Sequence, residues 1–486
     1  MRDRVTGTSR VPQPVVTQSA IAALLGPLAP LGTDGWIVGG GLRDALLGRV
    51  VADVDLAVSA DAKDLAKRLA MAHRAARFPL SETFGAWRVH GGSLPFTVDL
   101  TPLQGGGLDQ DLARRDLTVN ALAFPLAGGD LIDHHNGLDD LHARSLRMVA
   151  PTVLRDDPVR LVRLARLACQ LGFGIEDQTR LRARMDAGEL SRSAPERVAD
   201  ELRRIARMPD AWRGFEILDD LGVLGVIVPQ LEEGRGLEQT PYHHKDMLGH
   251  SLEVVRRVCE IRADPTEIFR GAGSHIAADL AQPLADDLTR GETLVFAALF
   301  HDMAKPETYA VTPEGRATFF HHDRRGAELA DAWCRHYRTS TRFREVVVLC
   351  VRKHLALGFM VHRQPLSLRQ IDRYLRSTAP AEAEQMILSV ADRLATDGPR
   401  TTPPQIQRHL AVARQIAEWY VTLEGRGPVG SLVNGAELGE LLGRRPGRWM
   451  TELLEALREE QVVGLVRTRA QAERFAFAWA EAHPAA

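Results

Sequence analysis

The fold of the first domain is decided by two stretches of sequence, Trp36-Ile37-Val38-Gly39-Gly40-Gly41 and Asp53-Val54-Asp55. The apolar triplet predicts a buried strand that ends at the glycines, residues 42–47 predict a short helix, and residues 54–58 predict a second strand. Because side chains alternate along a strand, we expect Asp53 and Asp55 on one face. Two such carboxylates suit Mg²⁺ ions held against a triphosphate, and the glycines allow close approach of backbone to phosphate.

Composition sets limits on the classes of protein and partner. The chain has 486 residues, 26% of them charged, and a formal net charge of -2, which argues against a uniformly basic coat for nucleic acid but not against a local basic groove. Its four cysteines are scattered and form no Cys-x-x-Cys pair, and Cys169 and Cys350 lie in apolar runs, which predicts buried thiols in a reducing compartment. No apolar run approaches 18 residues, and residues 1–17 are polar and lack the apolar centre of a signal peptide. We therefore expect a cytoplasmic protein without a membrane partner.

The pattern along the chain predicts an α+β architecture with four parts. Residues 18–150 alternate short strands and helices, and the strands are expected at residues 87–90 and 96–100. From residue 151 to 230 the apolar residues recur at helical spacing, and we expect this part to form a helical neck. Residues 231–400 form a histidine-rich helical domain, which carries a charged insertion at about 261–291. The predicted tail, residues 401–486, is also helical.

Further charged residues follow the paired carboxylates. Asp99 ends a neighbouring predicted strand, where it is either a third metal ligand or a solvated strand end. Arg43 and Arg115 have the bidentate guanidinium that suits phosphate oxygens, although an Arg-Arg-Asp cluster alone is also typical of a helix surface. Asp116 and Asn120 are expected either to bond a ribose or to order Arg115.

Four ordered motifs resemble those of the class II tRNA nucleotidyltransferase and poly(A) polymerase family. The resemblance covers most of the chain after residue 18. The motifs are Ile37-Val38-Gly39-Gly40-Gly41-Leu42-Arg43-Asp44 with Asp53-Val54-Asp55; Arg114-Arg115-Asp116-Leu117-Thr118-Val119-Asn120-Ala121; Asp156-Asp157-Pro158-Val159-Arg160-Leu161-Val162-Arg163; and Pro195-Glu196-Arg197 with Glu201-Leu202.

This resemblance implies a polymerase-β-type nucleotidyltransferase head followed by an all-α neck. It implies Mg²⁺ at the catalytic residues Asp53 and Asp55, with tRNA, CTP and, where A is also added, ATP as partners. Asp157, Arg160 and Arg163 are expected to share a helix face and to select C or A by the Watson–Crick edge of the base. The implied substrate-binding residues are Gly39, Gly40, Arg43, Asp44, Arg115, Asp116, Asn120, Asp157, Arg160 and Arg163.

One segment departs from the pattern of the family. Members that add all three nucleotides carry a longer loop before the Arg-Arg-Asp motif, whereas residues 100–113 here are short and rich in glycine. In the family that loop helps the site to change from C to A. The short loop therefore resembles the CC-adding subgroup, with a full CCA-adding enzyme as the alternative.

The histidine-rich domain resembles the HD phosphohydrolase superfamily. The resemblance implies a site for a divalent transition metal or Mg²⁺, in which Asp302 bridges two ions, and cleavage of a phosphate ester such as a terminal 2′,3′-cyclic phosphate. Lys305 follows closely and is expected either in solvent or on a phosphate. The ligands, in order along the chain, are His250, His301, Asp302, His322, His354 and Asp392.

Three alternatives to tRNA end synthesis remain open. A poly(A) polymerase of the same family differs in nucleotide preference and product length. A protein uridylyltransferase also joins a nucleotidyltransferase head to an HD domain, but that class lacks the motif at Arg114 to Ala121. A non-catalytic RNA-binding scaffold is disfavoured because Asp53, Asp55 and Arg43 are all present.

Overall fold

The computed structural model describes residues 18–240, 242, 244–426 and 430–484. The polar leader expected at residues 1–17 lies outside these residues, as does His243, which the sequence leaves either at the entrance of the HD site or as a cap of the following helix. Two compact units divide the chain. The first runs to Ser193 and includes Asp220–Val226, and the second comprises Ala194–Asp219 and the chain from Ile227 onward. The α+β class is confirmed.

The strands concentrate in the first unit. Nine of those described lie before residue 176, and the remaining four form two short hairpins in the second unit. The strands are β1 (Gly35–Val38), β2 (Asp53–Val58), β3 (Ala76–Ser81), β4 (Ala86–His90), β5 (Thr97–Pro102), β6 (Leu122–Pro125), β7 (Ile132–Asp133), β8 (Ser145–Leu146), β9 (Gly174–Ile175), β10 (Pro283–Ala285), β11 (Leu288–Thr289), β12 (Ala310–Val311) and β13 (Ala317–Thr318).

Helices connect the strands of the sheet and build most of the chain after β9. The helices up to the first unit boundary are α1 (Gln18–Leu28), α2 (Gly39–Leu46), α3 (Ala62–His73), α4 (Leu108–Ala113), α5 (Gly137–Ala143), α6 (Val153–Asp156), α7 (Val159–Leu171) and α8 (Asp177–Asp186). Those that follow are α9 (Pro195–Ala206), α10 (Ala211–Asp220), α11 (Leu224–Ile227), α12 (Pro229–Glu233), α13 (Met247–Ala263), α14 (Thr266–Phe269), α15 (Gly273–Ala281), α16 (Arg290–Phe300), α17 (Lys305–Thr308), α18 (His322–His336), α19 (Thr341–Lys353), α20 (Ala356–Met360), α21 (Leu368–Thr378), α22 (Glu382–Ala395), α23 (Pro403–Arg426), α24 (Gly435–Leu442), α25 (Arg448–Val462) and α26 (Arg469–Ala482).

The central sheet is mixed, and its strand order is β3-β4-β5-β2-β1-β6-β7. Only β2 and β5 run parallel among its neighbours, and their register aligns Asp55 with Asp99. Aligned residues of neighbouring strands project to the same face of a sheet, so the register gathers carboxylates that lie 44 positions apart in sequence. On its other edge β2 pairs with β1.

The turn from β1 into α2 depends on glycine. Gly39 has φ +74°, which L-residues with a side chain rarely adopt. A Cβ at Gly41 would lie 2.5 Å from the backbone oxygen of Asp53, so only glycine lets α2 pack directly against β2. The helix therefore begins at Gly39 and not at Leu42 as the apolar pattern suggested.

Strand β3 was missed by sequence pattern. It pairs only with β4 at the edge of the sheet, and most of its side chains are exposed, so it has no apolar alternation. Pro79 lies inside it. Proline is tolerated on an edge strand because its backbone lacks an N–H donor, and the outer side of such a strand has no neighbouring strand to receive one.

The helix expected to carry Asp157 with Arg160 and Arg163 is interrupted. Asp157 lies between α6 and α7, with φ -138° and ψ 88°, and α7 begins only at Val159. Pro158 explains the break, because the residue before a proline is disfavoured in the helical region. The prediction of one shared helix is therefore wrong for Asp157.

Packing in the second unit centres on α13, α16, α19 and α22. Aromatic rings fill its core; Phe296, for example, lies 5.2 Å from Phe343 and 5.9 Å from Trp333 between ring centroids. Helix α16 begins with a reciprocal capping box between Thr289 and Glu292, which fixes its start. The charged insertion expected at about 261–291 is folded and contains α14, α15 and the hairpin β10–β11.

The tail begins with the long helix α23. Behind it, α24, α25 and α26 share a small apolar cluster that includes Leu438, Leu453 and Leu457. All four cysteines are free and buried, and burial was expected for Cys169 and Cys350. Among the described residues, no helix combines the length and apolar character needed to cross a bilayer.

Candidate active sites in the two units

Three carboxylates meet at one end of the β2–β5 pair. Asp53 and Asp55 alternate on β2, and Asp99 stands beside Asp55 on β5. Asp99 receives two hydrogen bonds of 2.7 Å from the guanidinium of Arg88, so its oxygens already have a cationic partner. Arg88 was not predicted from the sequence, although its alternation on β4 places it on the same face.

Electrostatics around Asp55 favour a cation. Burial raises the pKa of its carboxyl, and Asp99 and Asp53 raise the pKa further against an opposing effect of Arg115. Crowded carboxylates of this kind are stabilised by a bound divalent cation. Oxygen ligands also suit Mg²⁺, so the donor set fits the predicted metal.

Gly39 and Arg115 border these carboxylates. A Cβ at Gly39 would lie 2.8 Å from Oδ2 of Asp55 and 3.0 Å from Nη1 of Arg115, so the three groups are in close proximity. Asp111, one turn earlier on α4, accepts from Nη2 of Arg115 at 3.0 Å and orients the guanidinium. Gly40 lies next to this position, and a Cβ there would meet only Arg43 at 3.5 Å.

A continuous polar network connects the other motif residues of the first unit. Arg43, whose side chain is 5% exposed, donates to Asp44 at 2.9 Å and to Oδ1 of Asn120 at 2.6 Å. Asn120 in turn donates to Asp116 at 2.9 Å. Arg163 of α7 lies 3.5 Å from the other oxygen of Asp116. Asp116 and Asn120 thus order Arg43 and Arg163, and the backbone oxygen of Asn120 also accepts from Nη1 of Arg115 at 3.5 Å.

The pKa of Asp116 reflects this network. Burial alone would raise it, but Arg163, the Asn120 amide and Arg160 together hold the pKa below its usual range. Asp116 is therefore ionised and anchors α7 to the motif at residues 114–121. Arg160 adds a second tie, since its Nη2 donates to the backbone oxygen of Arg114 at 2.9 Å.

The short loop before α4 is closed by its own hydrogen bonds. It comprises residues 103–107, and the backbone N–H of Gln104 donates to Asp111 at 3.3 Å. Gln104 also bonds the backbone oxygen of Pro102, and Gly105 has φ +80°. This loop is compact and attached to the helix that orients Arg115.

In the second unit, all six predicted HD residues converge. Two groups of three have ligand atoms within 4.8 Å of one another, and both groups contain Asp302. Oδ2 of Asp302 lies 3.1 Å from His301 and 3.6 Å from His250, whereas Oδ1 lies 3.4 Å from His322 and 3.7 Å from His354. Asp392 bonds His250 at 3.0 Å. One carboxylate thus faces two histidine pairs.

The histidines are prepared to bind metal through Nε2. The Nδ1 atoms of His301, His322 and His354 each bond a backbone oxygen, at 2.8, 2.6 and 2.7 Å. Such bonds fix the tautomer that leaves Nε2 as a ligand. Nε2 of His301 is buried and faces Oδ2 of Asp302 at 3.1 Å, so the two atoms can bind one ion. The residues therefore fit a divalent metal site.

Lys305 is not in solvent, which corrects one of the two expectations for it. It is 6% exposed, its Nζ lies 2.6 Å from Oδ2 of Asp302, and it also bonds Gln239. Burial alone would raise the pKa of Asp302, but His301, Lys305 and His322 hold it well below the usual range. Asp302 is thus ionised at neutral pH.

Three groups beside this cluster were missed by sequence reasoning. Arg393, Arg408 and His409 line the same cavity as Asp302 and Asp392. Arg393 directly follows Asp392, and that adjacency was the available signal. Arg408 and His409 lie on α23, in the segment predicted as tail, and no local pattern indicates their position.

Comparison with known proteins agrees with this architecture. Residues 35–104 and 98–147 match the Poly A polymerase head domain, and residues 172–234 match the probable RNA and SrmB- binding site of polymerase A. Residues 247–397 match the HD domain.

Similar curated proteins span nearly the whole chain. The A-adding tRNA nucleotidyltransferase of Deinococcus radiodurans is 35% identical over 465 residues, which cover 94% of this chain and 98% of that protein. The CC-adding tRNA nucleotidyltransferase of Thermus thermophilus is 32% identical over 452 residues, which cover 92% and 94%. The fold is similar to that of the Thermotoga maritima CCA-adding enzyme complexed with tRNA, with TM-score 0.62, 18% identity and coverage of 95% and 96%.

Proposed function

Because this chain belongs to the tRNA nucleotidyltransferase and poly(A) polymerase family, we propose that it extends the 3′ end of tRNA with CMP from CTP. The observation that carries this proposal is the grouping of Asp53 and Asp55 beside Gly39 and Arg115. The 3′-hydroxyl of the RNA, deprotonated with the help of Asp55, attacks the α-phosphate of the nucleotide, and pyrophosphate leaves. Cations held by Asp53 and Asp55 would neutralise the triphosphate and activate the hydroxyl.

The chain's own residues supply binding and orientation. Arg115 lies beside Asp55 and can donate two parallel hydrogen bonds to phosphate oxygens. Asp157, Arg160 and Arg163 are the proposed readers of the base, although Asp157 lies in the break before α7 and not on the helix itself. The expected substrate is tRNA, and the expected location of the protein is the cytoplasm.

The two carboxylates on β2 provide the test. Asp53→Ala or Asp55→Ala should abolish CMP incorporation into tRNA that lacks its CCA end, measured at single-nucleotide resolution. Asp64→Ala, which removes an exposed carboxylate from α3 of the same unit, is the matched control and should incorporate CMP normally. Intact incorporation in both β2 variants would show that the metal site is assigned wrongly.

The short, glycine-rich segment at residues 100–113 before the Arg-Arg-Asp motif favours a CC-adding enzyme. The greater overall identity to an A-adding relative favours A addition as the second candidate. Two substrates separate the candidates: tRNA ending at the discriminator base and tRNA ending in CC, each with CTP or ATP. A CC-adding enzyme extends only the first by two cytidines, an A-adding enzyme extends only the second, a full CCA-adding enzyme extends both, and a poly(A) polymerase makes long A tails.

The HD site of the second unit supports a further activity, hydrolysis of a phosphate ester. Its support is the bridging position of Asp302 between two histidine pairs. A divalent metal would supply charge neutralisation and polarise the phosphate. Hydrolysis of bis(p-nitrophenyl) phosphate should require added Mn²⁺, Ni²⁺ or Mg²⁺ and should be lost in the double variant His301→Ala with Asp302→Ala.

A further inference from the structure

A cavity opens directly onto the HD cluster. Its volume is about 460 Å³, which lies in the range of small-molecule sites and is too small to enclose a helical stem of RNA. Asp302, His322, His354 and Asp392 are among the residues that line it. A substrate that reaches the cluster through this cavity must therefore be small or must enter by a single-stranded end.

The wall beside Asp392 contains a guanidinium whose donors lack partners. Arg393 lies on α22, and its Nε and Nη2 atoms are both buried without a hydrogen-bond partner among the described residues. Unpaired buried donors are unfavourable, so an acceptor is expected there when the site is in use. Adjacent guanidinium nitrogens form the planar fork that binds phosphate or carboxylate through two parallel hydrogen bonds.

Helix α23 completes this wall from outside the matched HD segment. His409 of α23 bonds Ser389 of α22 at 3.1 Å, and Ser389 lies one turn before Arg393. Arg408 and Gln405 of the same helix also line the cavity. The hydrogen bond between His409 and Ser389 thus joins α23 to α22 one turn from Arg393. Arg408 adds a second cationic side chain to the lining of the cavity.

We propose that Arg393 is a substrate-binding residue of the HD site and presents Nε and Nη2 to the phosphate of a small phosphate ester. This inference rests on the proposed hydrolase activity and specifies the phosphate-binding group, which lies outside the six metal-ligand residues. The role of α23 is to hold the cavity wall against Ser389 and Arg393. The substrate class is a phosphate ester small enough for this cavity, such as a single terminal nucleotide.

Phosphate binding provides a test that does not depend on turnover. Inorganic phosphate is titrated by calorimetry into the full-length protein loaded with Mn²⁺, with bound Mn²⁺ measured for each variant. Arg393→Gln should weaken phosphate binding about ten- to hundredfold, because two charge-assisted hydrogen bonds are lost. Arg393→Lys keeps the charge but loses the fork and should bind with intermediate affinity. Arg363→Gln is the control, since Arg363 is exposed and does not line this cavity.

The outcomes separate this proposal from the proposed hydrolase. Arg393→Gln that binds Mn²⁺ and phosphate as tightly as the unmodified protein would overturn the role of Arg393, whatever the hydrolase activity. No phosphate binding by the Mn²⁺-loaded unmodified protein would overturn it also. Phosphate binding that depends on Arg393, together with no hydrolysis of any phosphate ester, would support the subsite and reject the hydrolase.

Discussion

Gly39 connects backbone conformation to the metal-binding carboxylates. Its φ of +74° is unfavourable for residues with a side chain, and a Cβ would lie 2.8 Å from Oδ2 of Asp55. The carboxylate would have to move away from such an atom, and Nη1 of Arg115, 3.0 Å from the same Cβ position, would be crowded as well. A side chain at position 39 would therefore strain the backbone and also displace the carboxylate of Asp55.

Gly39→Ala should lower CMP incorporation by at least about a hundredfold, because small displacements of catalytic groups are enough for such losses. Gly48→Ala is the matched control, since Gly48 has φ +66° but nothing within 4 Å of its Cβ position. Both variants should lose about 1 kcal/mol or more of unfolding free energy from backbone strain. Equal incorporation rates in the two variants would contradict the proposed crowding at Asp55.

His409 gives a pH dependence to stability. Burial lowers its pKa from 6.5 to about 4, so the folded protein keeps it neutral where the unfolded chain binds a proton. Between these values the unfolded state therefore binds more protons, and the free energy of unfolding falls as the pH falls.

From pH 6.5 to 4 the contribution of His409 amounts to on the order of 3 kcal/mol. His409→Gln should therefore lose less stability than the unmodified protein over that range in urea unfolding. His336→Gln, which replaces an exposed histidine of the same unit, is the control and should show the pH dependence of the unmodified protein. The same pH dependence in His409→Gln would reject the buried, neutral state.

At the scale of elements, α16 and α22 deliver Asp302 and Asp392 to one point. Their N-terminal ends are joined by Arg290 and Glu384, which form two hydrogen bonds of 2.7 Å. The side chain of Glu384 is fully buried, and Arg290 also donates to the backbone oxygen of Pro380. Removal of one partner would leave a buried charge uncompensated.

Glu384→Ala should lower the free energy of unfolding by about 3–5 kcal/mol, since Arg290 then lacks its counter-charge. The double variant Arg290→Met with Glu384→Leu should recover most of this loss, because apolar replacements of similar size need no counter-charge. Glu328→Ala, which breaks an exposed pair with Arg325, should change stability by about 1 kcal/mol or less. A loss for Glu384→Ala as small as the control would contradict a buried charge pair.

At the scale of the whole molecule, each compact unit contains one of the two acidic clusters. Asp53 and Asp55 belong to the first unit, and Asp302 and Asp392 belong to the second. Substitutions in separate units without shared partners have additive effects. The two proposed activities should therefore be separable.

The double variant His301→Ala with Asp302→Ala should lose phosphate-ester hydrolysis while it keeps CMP incorporation within about twofold. Asp55→Ala should show the reverse. Both activities are measured on each preparation, and circular dichroism checks the fold. Loss of both activities in the HD variant would indicate that the second unit has a structural role in tRNA binding.

Much of the candidate chemistry could be predicted from local sequence. The period of a strand places Asp53 and Asp55 on one face, and the order of six histidine and aspartate residues indicated one cluster, which the fold brings together. Edge strand β3 could not be predicted, because an exposed strand has no apolar alternation. The break at Asp157 was predictable in principle from Pro158, since a proline restricts the residue before it.

The sequence by itself determined the residue types, the strand–glycine–helix start of the head and the family, because these depend on neighbours in the chain. Only the tertiary structure decided which side chains from different elements become partners. Arg43 meets Asn120, Arg88 meets Asp99, and α23 brings His409 to Ser389. These pairs depend on how the elements pack against one another. The position of a residue in the sequence does not show which distant residue it will contact.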